Sequence, residues 1–156
     1  MSAPAAPAAA VRVRPIARDD EAAWRALWLG YCRFYEVALS DAVTDHTWQR
    51  ICDPASPVRA IVADLPGDGV IGIANYILHE NTWELSPVCY LEDLFVRPDC
   101  RAVGVGKALI DWLIAEMRAH GWSRVYWNTK ENNYRARGLY DKYNPRDAFV
   151  RYVVKP

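Results

Sequence analysis

Gly104 and Gly106, separated by one residue, mark the place where this chain could bind a phosphate. An α-helix leaves its first four N–H groups without intrahelical partners, and its dipole places roughly half a positive charge at that end. Glycine at such a turn adopts backbone angles that other side chains forbid, and it lets a ligand approach the main chain. Because a glycine pair at a helix start is also typical of a plain turn, the flanking sequence must decide between the two interpretations.

The flanking sequence predicts a strand before the glycines and a helix after them. Apolar residues at 88–96 indicate a buried strand, and an amphipathic helix is predicted over about 104–119, with Gly121 as its stop. The residues on its apolar face are Leu109, Ile110, Trp112, Leu113, Ile114 and Met117. Other phosphate loops do not fit, because Lys107 is not followed by Ser or Thr and the third glycine of a dinucleotide fingerprint is missing.

The run from Arg101 to Gly106, Arg-x-x-Gly-x-Gly after an apolar strand, resembles the acetyl-CoA signature of the GNAT N-acetyltransferase superfamily. The resemblance implies that acetyl-CoA is the co-substrate. Its pyrophosphate would rest on the amides of 101–107, and its pantetheine arm would pair with the main chain of Leu94 and Val96. The residues implied to bind the coenzyme are Leu94, Phe95, Val96, Arg101, Ala102, Val103, Gly104, Val105, Gly106, Lys107, Asn133 and Tyr140.

A second block, from Asn133 to Tyr143, supports this resemblance. Ala136, Leu139, Tyr140 and Tyr143 fall on one face of a predicted helix, and Asn133 is placed to cap it. The asparagine before a Leu-Tyr pair is similar to the second GNAT motif. That similarity implies that Asn133 hydrogen-bonds the pantetheine or amide region and that Tyr140 protonates the departing thiolate. Taken by itself, Tyr140 is more typical of a core aromatic residue than of a catalytic one.

Glu92 and Asp93 are the two candidates for a general base. A protonated amine, whose pKa is near the value of about 10.4 for lysine, must lose a proton before its nitrogen can attack a thioester. A carboxylate near apolar residues has a raised pKa and can accept that proton, directly or through water. Adjacent strand residues are expected to point to opposite faces, and either carboxylate could instead be solvated or structural. The sequence YLED resembles polyamine-type members of the family, which favours Glu92 and implies direct attack in a ternary complex.

The candidates for the acceptor side are Tyr35, Glu36, Trp83 and Glu84. Aromatic rings and carboxylates attract a cationic amine, although each of these residues also suits an ordinary solvated loop. NNYRARGLY resembles the histone-and-other-protein acetyltransferase branch, and YLEDLFV resembles the spermidine/spermine acetyltransferase branch. The acceptor is therefore expected to be a polyamine, a small amine or a lysine side chain. The alternative is a non-catalytic acyl-CoA-binding or interaction module. The presence of both a candidate acid, Tyr140, and a candidate base, Glu92, argues against this alternative.

The four cysteines and three histidines indicate neither covalent nor metal-dependent catalysis. No CxxC spacing occurs, and Cys100, which directly precedes the proposed turn, comes nearest to an activated thiol. The histidines lack the spacing of metal ligands, so no metal is expected. Cysteines without a secreted framework predict a cytoplasmic protein.

The length of 156 residues and the formal net charge of zero suit a single domain without a polyanionic partner. We expect a disordered Ala/Pro-rich tail at 1–10, without the features of a signal peptide, followed by one domain at 11–156. No nucleic-acid partner is predicted, and no membrane partner, because no apolar run reaches the length of about 18 residues that a bilayer requires. A homodimer is expected only because two-fold dimers are the commonest assembly.

The predicted order of elements is β-α-α-β-β-β-α-β-α-β. Strands are expected at about 11–16, 58–64, 70–78, 88–96, 124–128 and 149–154, and the first helices at about 20–34 and 44–51. Asn144-Pro145 ends the last helix, and 149–154 is expected to close the sheet. This order resembles GNAT topology. The fold class is therefore α/β (α+β, mixed sheet): a mostly antiparallel, twisted central sheet with helices on both faces and a V-shaped splay that binds acetyl-CoA.

Overall fold

The computed structural model describes residues 10–156, apart from the side chains of Ala102 and Val103. The expected tail at 1–10 thus lies outside the described residues, except for Ala10. Five strands and four helices follow, with short 3-10 turns at Arg18–Asp20 and Pro98–Val103. In chain order the elements are β1 (Arg12–Pro15), α1 (Glu21–Phe34), α2 (Asp41–Cys52), β2 (Val58–Leu65), β3 (Gly69–His79), β4 (Val88–Val96), α3 (Val105–His120), β5 (Val125–Tyr126) and α4 (Tyr134–Tyr140).

The strands form one mixed sheet in the order β1-β2-β3-β4-β5. The first four strands are antiparallel neighbours, whereas β5 runs parallel to β4 through only two residue pairs, Cys89 with Val125 and Tyr90 with Tyr126. Gly67 and Gly69 have positive φ values of 90° and 72°, which allows the tight connection between β2 and β3. The predicted mixed α/β class with a mostly antiparallel sheet is confirmed.

Helices cover both faces of the sheet and divide the core into two layers. In the first layer α3 packs its apolar face on the sheet, because its apolar residues recur at helical spacing. Buried members of this layer are Ile61, Ile71, Leu91, Leu109, Ile110 and Leu113. In the second layer α1 and α2 pack on the opposite face, with a tryptophan cluster at the centre. Members of that layer are Trp24, Trp28, Trp48, Val62, Ile73 and Phe95.

The pairing of β3 with β4 shifts by one residue near the middle of the sheet. Tyr76 pairs with Leu91 and Asn75 with Asp93, so Glu92 is one extra residue in β4. Such a bulge interrupts the alternation of side chains. The residues of β4 that join the α3 layer are Cys89, Leu91, Leu94 and Val96. These residues are odd-numbered before the bulge and even-numbered after it. The expectation that Glu92 and Asp93 point to opposite faces assumed regular alternation, which the bulge interrupts.

The predicted closing strand at 149–154 is wrong, because this segment has no strand pairing and its apolar side chains are exposed. Its composition favours β-structure, but β-propensity does not specify which sheet edge a segment will join. The fifth strand is also shorter than predicted, since only Val125 and Tyr126 pair with β4. The edge that β5 offers within the chain is therefore short.

Gly138 in α4 provides a test of helix stability. A Cβ there would meet no atom within 4 Å, and its φ is not in the left-handed region. We expect Gly138→Ala to raise the free energy of unfolding by about 0.5–1 kcal/mol, measured by urea denaturation, because alanine loses less backbone entropy on folding. Gly30→Ala is the matched control in α1: its Cβ would lie 2.7 Å from the Phe95 ring, so it should destabilise. A loss of stability in Gly138→Ala would contradict the open environment.

Candidate active site

The turn before α3 has the backbone geometry that an anion site requires. Gly104 occupies the N-cap with φ 75° and ψ 22°, and no side chain caps the helix. The first α-helical hydrogen bond runs from the Ala108 N–H to the Gly104 carbonyl at 3.0 Å, so the N–H groups before Ala108 have no intrahelical partner. A Cβ on Gly104 would meet nothing within 4 Å. The space beside the Gly104 main chain is therefore open.

Arg101 lies against the end of β4 and places positive charge beside the turn. Its Nε donates to the Val96 carbonyl at 3.2 Å, and its guanidinium lies 5.5 Å from the Phe95 ring centroid and 5.7 Å from that of Phe34. Burial, and then the positive charge of nearby Arg135, lower the pKa of Arg101. The positive charges of these two arginines favour an anion in their vicinity. The Val96 carbonyl, expected to serve the pantetheine arm, is bound by Arg101 in this structure.

The first two turns of α3 contact α4 and the residues just after it. Leu139 Cδ2 lies 3.5 Å from the position of a Cβ on Gly106. The Tyr143 hydroxyl donates to the Lys107 carbonyl at 3.2 Å and to Asp111 Oδ1 at 2.8 Å. Lys107 Nζ also pairs with Asp111. These contacts fix the helix that carries Tyr140 against the glycine turn.

Tyr140 is partly buried on this helix, with its ring 5.4 Å from that of Trp127 in an edge-on arrangement. Burial, with a smaller contribution from nearby Tyr35, raises the pKa of Tyr140 to about 12. The phenol therefore stays protonated near neutral pH and remains available as a proton donor.

Asn133 occupies the N-cap position of α4, but the predicted side-chain cap is wrong. Its Nδ2 donates instead to Thr129 Oγ1 at 3.0 Å. The side chain is therefore used to close the loop before α4, and its backbone carbonyl accepts from the Arg137 N–H at 3.0 Å.

Asp93 belongs to a buried polar network that joins the sheet to α1. Asn75 Nδ2 donates to Asp93 Oδ2 at 3.1 Å, and Trp24 Nε1 donates to Asn75 Oδ1 at 3.1 Å. Burial raises the pKa of Asp93 to about 6, although Asn75 and Tyr31 act in the opposite direction. Glu92, by contrast, is exposed.

The sequence interpretation missed Asn75 and Tyr31. Asn75 could have been found as the polar residue within the apolar strand GVIGIANYIL, and Tyr31 as the residue one helical turn before Tyr35. Burial, and then the charge of Asp93, raise the pKa of the Tyr31 hydroxyl. The ring of Tyr31 lies 4.8 Å from that of Tyr35, so Tyr31 contacts one of the acceptor candidates.

The four acceptor candidates fall in two separate places. Tyr35 lies near Tyr140, and Lys130 Nζ is 5.5 Å from the centroid of its ring. The adjacent Glu36 is exposed and has a φ of 55°. Trp83 and Glu84 lie in the β3–β4 connection, where Trp83 is 84% exposed and Glu84 pairs with Arg124 at 3.3 Å. Tyr35 is thus the candidate that the structure brings toward Tyr140.

Two concavities lie apart from the glycine turn. One, of about 580 Å³, borders the beginning of α4 and includes Lys130, Arg137 and Arg146. The other, of about 450 Å³, lies beneath the second half of α3 and includes Tyr76 and Trp122. Within residues 10–156 the described side chains form no group of three or more potential metal ligands, and none of the described helices combines the length and apolarity needed to cross a bilayer.

Comparison with known proteins identifies relatives over most of the chain. Residues 22–144 match the Acetyltransferase (GNAT) family. The chain is 34% identical over 131 residues to the D-amino-acid N-acetyltransferase HPA3 of Saccharomyces cerevisiae, and this alignment covers 83% of the chain and 81% of HPA3. The family match covers well over half of the chain, and the 34% identity to HPA3 over most of both chains supports the same family.

Solved structures share the fold at lower identity. The ribosomal-protein-alanine N-acetyltransferase of Brucella melitensis aligns with a TM-score of 0.76 and 21% identity, covering 94% of this chain and 99% of that one. AAC(6')-Iy, in complex with the bisubstrate analog CoA-S-monomethyl-acetylneamine, aligns with a TM-score of 0.75 and 20% identity, covering 94% and 98%. GNAT acetyltransferases use acetyl-CoA. The chain belongs to the GNAT acetyltransferase family and is an acyltransferase.

Proposed function

We propose that the protein transfers the acetyl group of acetyl-CoA to a primary amine by direct attack in a ternary complex. One observation supports this proposal: Leu139 of α4 and Tyr143 just after it contact the beginning of α3, so the helix that carries the protonated phenol of Tyr140 adjoins the helix that begins at the glycine turn. A coenzyme diphosphate on that turn and a proton donor on the adjoining helix suit thioester chemistry. Acetyl-CoA supplies an acetyl group activated as a thioester.

For coenzyme binding we assign the main chain from Arg101 to Lys107 to the diphosphate. The end of β4, from Leu94 to Val96, and Asn133 would contact the pantetheine arm. The positive charges of Arg101 and Arg135 and the open space over Gly104 support this assignment. Binding of the pantetheine arm to the Val96 carbonyl would require the Arg101 side chain to share or release that acceptor.

For proton removal we propose Glu92 as the base, acting directly or through water. Its exposure supports this role, because the proton taken from the amine must afterwards reach solvent. Asp93 is the alternative. Its raised pKa suits a base, but one of its oxygens already accepts from Asn75 in the buried network.

For the acceptor we propose a primary amine that binds near Tyr140. A polyamine, a small amine and a lysine side chain all present the required primary amine, and Tyr35 would lie on the acceptor side with Glu36, Trp83 and Glu84 as further candidates. Lys130 above the Tyr35 ring favours an acceptor that also carries a carboxylate, because its positive charge would repel a polyamine. The relationship to HPA3, a D-amino-acid N-acetyltransferase, supports an amino acid as the second candidate.

An acceptor panel tests the proposed function. The protein is incubated with acetyl-CoA and, separately, spermine, a small diamine, a lysine peptide, and D- and L-amino acids, while free thiol is followed. Thiol release that depends on one of these amines supports the transferase, and the preferred amine identifies the acceptor class. Tight binding of coenzyme A without thiol release would support the non-catalytic acyl-CoA-binding module instead.

Gly104 provides a separate test of the coenzyme site. We expect Gly104→Leu to weaken coenzyme A binding at least about tenfold in calorimetry, since its side chain would cover the amides of the turn. Gly121→Leu is a matched control, because Gly121 ends the same helix with φ 68° and equally open space. Both substitutions carry a similar backbone cost of about 1–2 kcal/mol in unfolding free energy. Equal coenzyme affinities in the two variants would contradict the proposed site.

We also propose that residues 11–156 act as one domain and that the protein works in the cytoplasm, possessing no partner among nucleic acids or membranes. Its free cysteines support the location: Cys32, Cys89 and Cys100 are buried as thiols, which suits a reducing compartment. A homodimer is the proposed assembly.

A further inference from the structure

The concavity of about 450 Å³, here called the α3 groove, lies at the far end of α3 from the glycine turn. The helix rises about 1.5 Å per residue, so Glu116, which lines the groove, lies roughly 18 Å along α3 from Gly104. Strands β2 and β3 and Trp122, which follows the helix, contribute to its walls. None of its lining residues belongs to the proposed coenzyme site or to the acceptor candidates. The α3 groove is therefore separate from the chemistry proposed above.

Tyr76 directs an unpartnered hydroxyl into the α3 groove. The residue is only 6% exposed, and within the described part of the chain its hydroxyl makes no hydrogen bond. Among those same residues no fully buried side-chain nitrogen or oxygen lacks a partner, so this hydroxyl must face open space, which the groove supplies. Burial raises the pKa of Tyr76 to about 12. The phenol thus stays protonated near neutral pH and can donate to a ligand.

Arg59 places a positive charge beside that hydroxyl. It is the direct cross-strand partner of Tyr76 in the pairing of β2 with β3, so both side chains lie on the same face of the sheet. After burial, which raises the pKa of Tyr76, the next influence on it is the positive charge of Arg59, which lowers it. Arg59 is exposed and joins no ion pair among residues 10–156. Guanidinium and phenol together provide the donors that a carboxylate accepts.

Aromatic side chains form the apolar part of the α3 groove. Trp112 and Trp122 line it, and the ring of Trp122 lies 6.1 Å from that of Tyr76. Trp122 also stacks on His120, with 5.9 Å between the ring centroids and 20° between the ring planes. Glu116 is the acidic residue of the groove, and its carboxylate lies 3.0 Å from His120 Nε2. The acidic side chain therefore has a partner within the groove, whereas the arginine does not.

We propose that the α3 groove binds a small aromatic carboxylate. The carboxylate would pair with the Arg59 guanidinium and accept a hydrogen bond from Tyr76, while the ring would pack against Trp112 and Trp122. An aromatic ammonium would instead meet the unpaired arginine charge and a Glu116 carboxylate that already has a partner, so the groove favours the anion. A volume of about 450 Å³ is in the range of small-molecule sites.

Phenylacetate and phenylacetamide test this proposal, because they have nearly the same size and differ in charge. In calorimetry with the full chain, phenylacetate should bind at least about tenfold more tightly than the amide, as hydrogen bonds to a charged group allow. Arg59→Gln should remove this preference, and Tyr76→Phe should weaken phenylacetate binding by about threefold or more. The control Arg12→Gln replaces another exposed strand arginine that lies outside the groove, and it should leave the affinity unchanged.

Tryptophan resonances of the wild-type protein show where phenylacetate binds. In protein labelled with 5-fluorotryptophan, phenylacetate should shift the ¹⁹F resonances of Trp112 and Trp122, which are assigned from Trp112→Phe and Trp122→Phe. Trp127, whose ring lies beside Tyr140, reports on the proposed active site and should not shift. No binding, equal affinities for acid and amide, an unchanged preference in Arg59→Gln, or a shift of Trp127 without Trp122 would each overturn the proposal. If a variant fails to fold, the labelled wild-type protein decides between the two sites.

Discussion

Replacing Tyr140 by phenylalanine is expected to lower kcat by about 10²–10⁴, the range that general acid–base catalysis contributes. The substitution removes the only group on Tyr140 that could protonate the departing thiolate. It leaves the ring against Trp127, so the packing of α4 on the glycine turn should persist. Steady-state kinetics with saturating acceptor measure the loss in kcat, and calorimetry should give a coenzyme A affinity close to that of the wild-type protein.

Tyr134→Phe is the control for this experiment, because Tyr134 begins the same helix but is 74% exposed. It should retain nearly full activity. If Tyr140→Phe also turned over at the wild-type rate, the residue would be a core aromatic and the proton would have to come from elsewhere. A loss of activity accompanied by an equal loss of coenzyme affinity would point to a binding role instead.

Glu92→Gln is expected to lower kcat/KM by about 10²–10⁴ near neutral pH. The side chain is exposed, so the free energy of unfolding should change little. Without a base the enzyme depends on amine that has already lost its proton. The activity of the variant should therefore rise steeply with pH toward the amine pKa of about 10.4, while the wild-type profile reaches its plateau earlier. Rate profiles of both proteins from pH 6 to 10 check this expectation.

Asp93→Asn separates the two carboxylates. Burial raises the folded-state pKa of Asp93 to about 6, above its ordinary value of 3.8. Between these values the unfolded chain releases this proton before the folded one does, so this residue makes the protein less stable as pH rises through about 4 to 6. The difference is on the order of 3 kcal/mol at neutral pH.

The Asp93→Asn variant should lose that pH dependence, as measured by urea unfolding at pH 4 and 7, while retaining turnover. An inactive Asp93→Asn protein with intact folding and an active Glu92→Gln protein would reverse the assignment of the base.

Periodic patterns predicted the elements that position the proposed site. The bounds of β4, 88–96, are those expected from its apolar run, and α3 begins one residue after the predicted Gly104. Both elements are buried against a layer of the core, so burial imposes a pattern on their sequences. Gly104 and Gly121 flank α3, and both have the positive φ value that glycine at a helix end suggests.

Two features could not be predicted, because each depends on pairing between distant segments. The network of Trp24, Asn75 and Asp93 requires β3 and β4 to slip by one residue, and neither strand's own pattern contains that slip. Residues 149–154 are strand-forming in type, but their sequence does not specify whether any sheet edge will pair with them. Local sequence indicates the secondary structure of a segment more readily than it indicates the segment with which it will pair.

The number of residues in β4 decides which of its side chains face the apolar layer, because side chains alternate on either side of the bulge at Glu92. Deleting Glu92 would restore regular alternation and leave Cys89, Leu91, Leu94 and Val96 two residues apart, all facing the apolar layer beneath α3. A single amino acid inserted between Cys89 and Leu91, or between Leu94 and Val96, would instead turn one end of the strand over and expel apolar side chains from that layer. A label or insertion is therefore better placed in the connection at residues 66–68, between β2 and β3, than within 88–96.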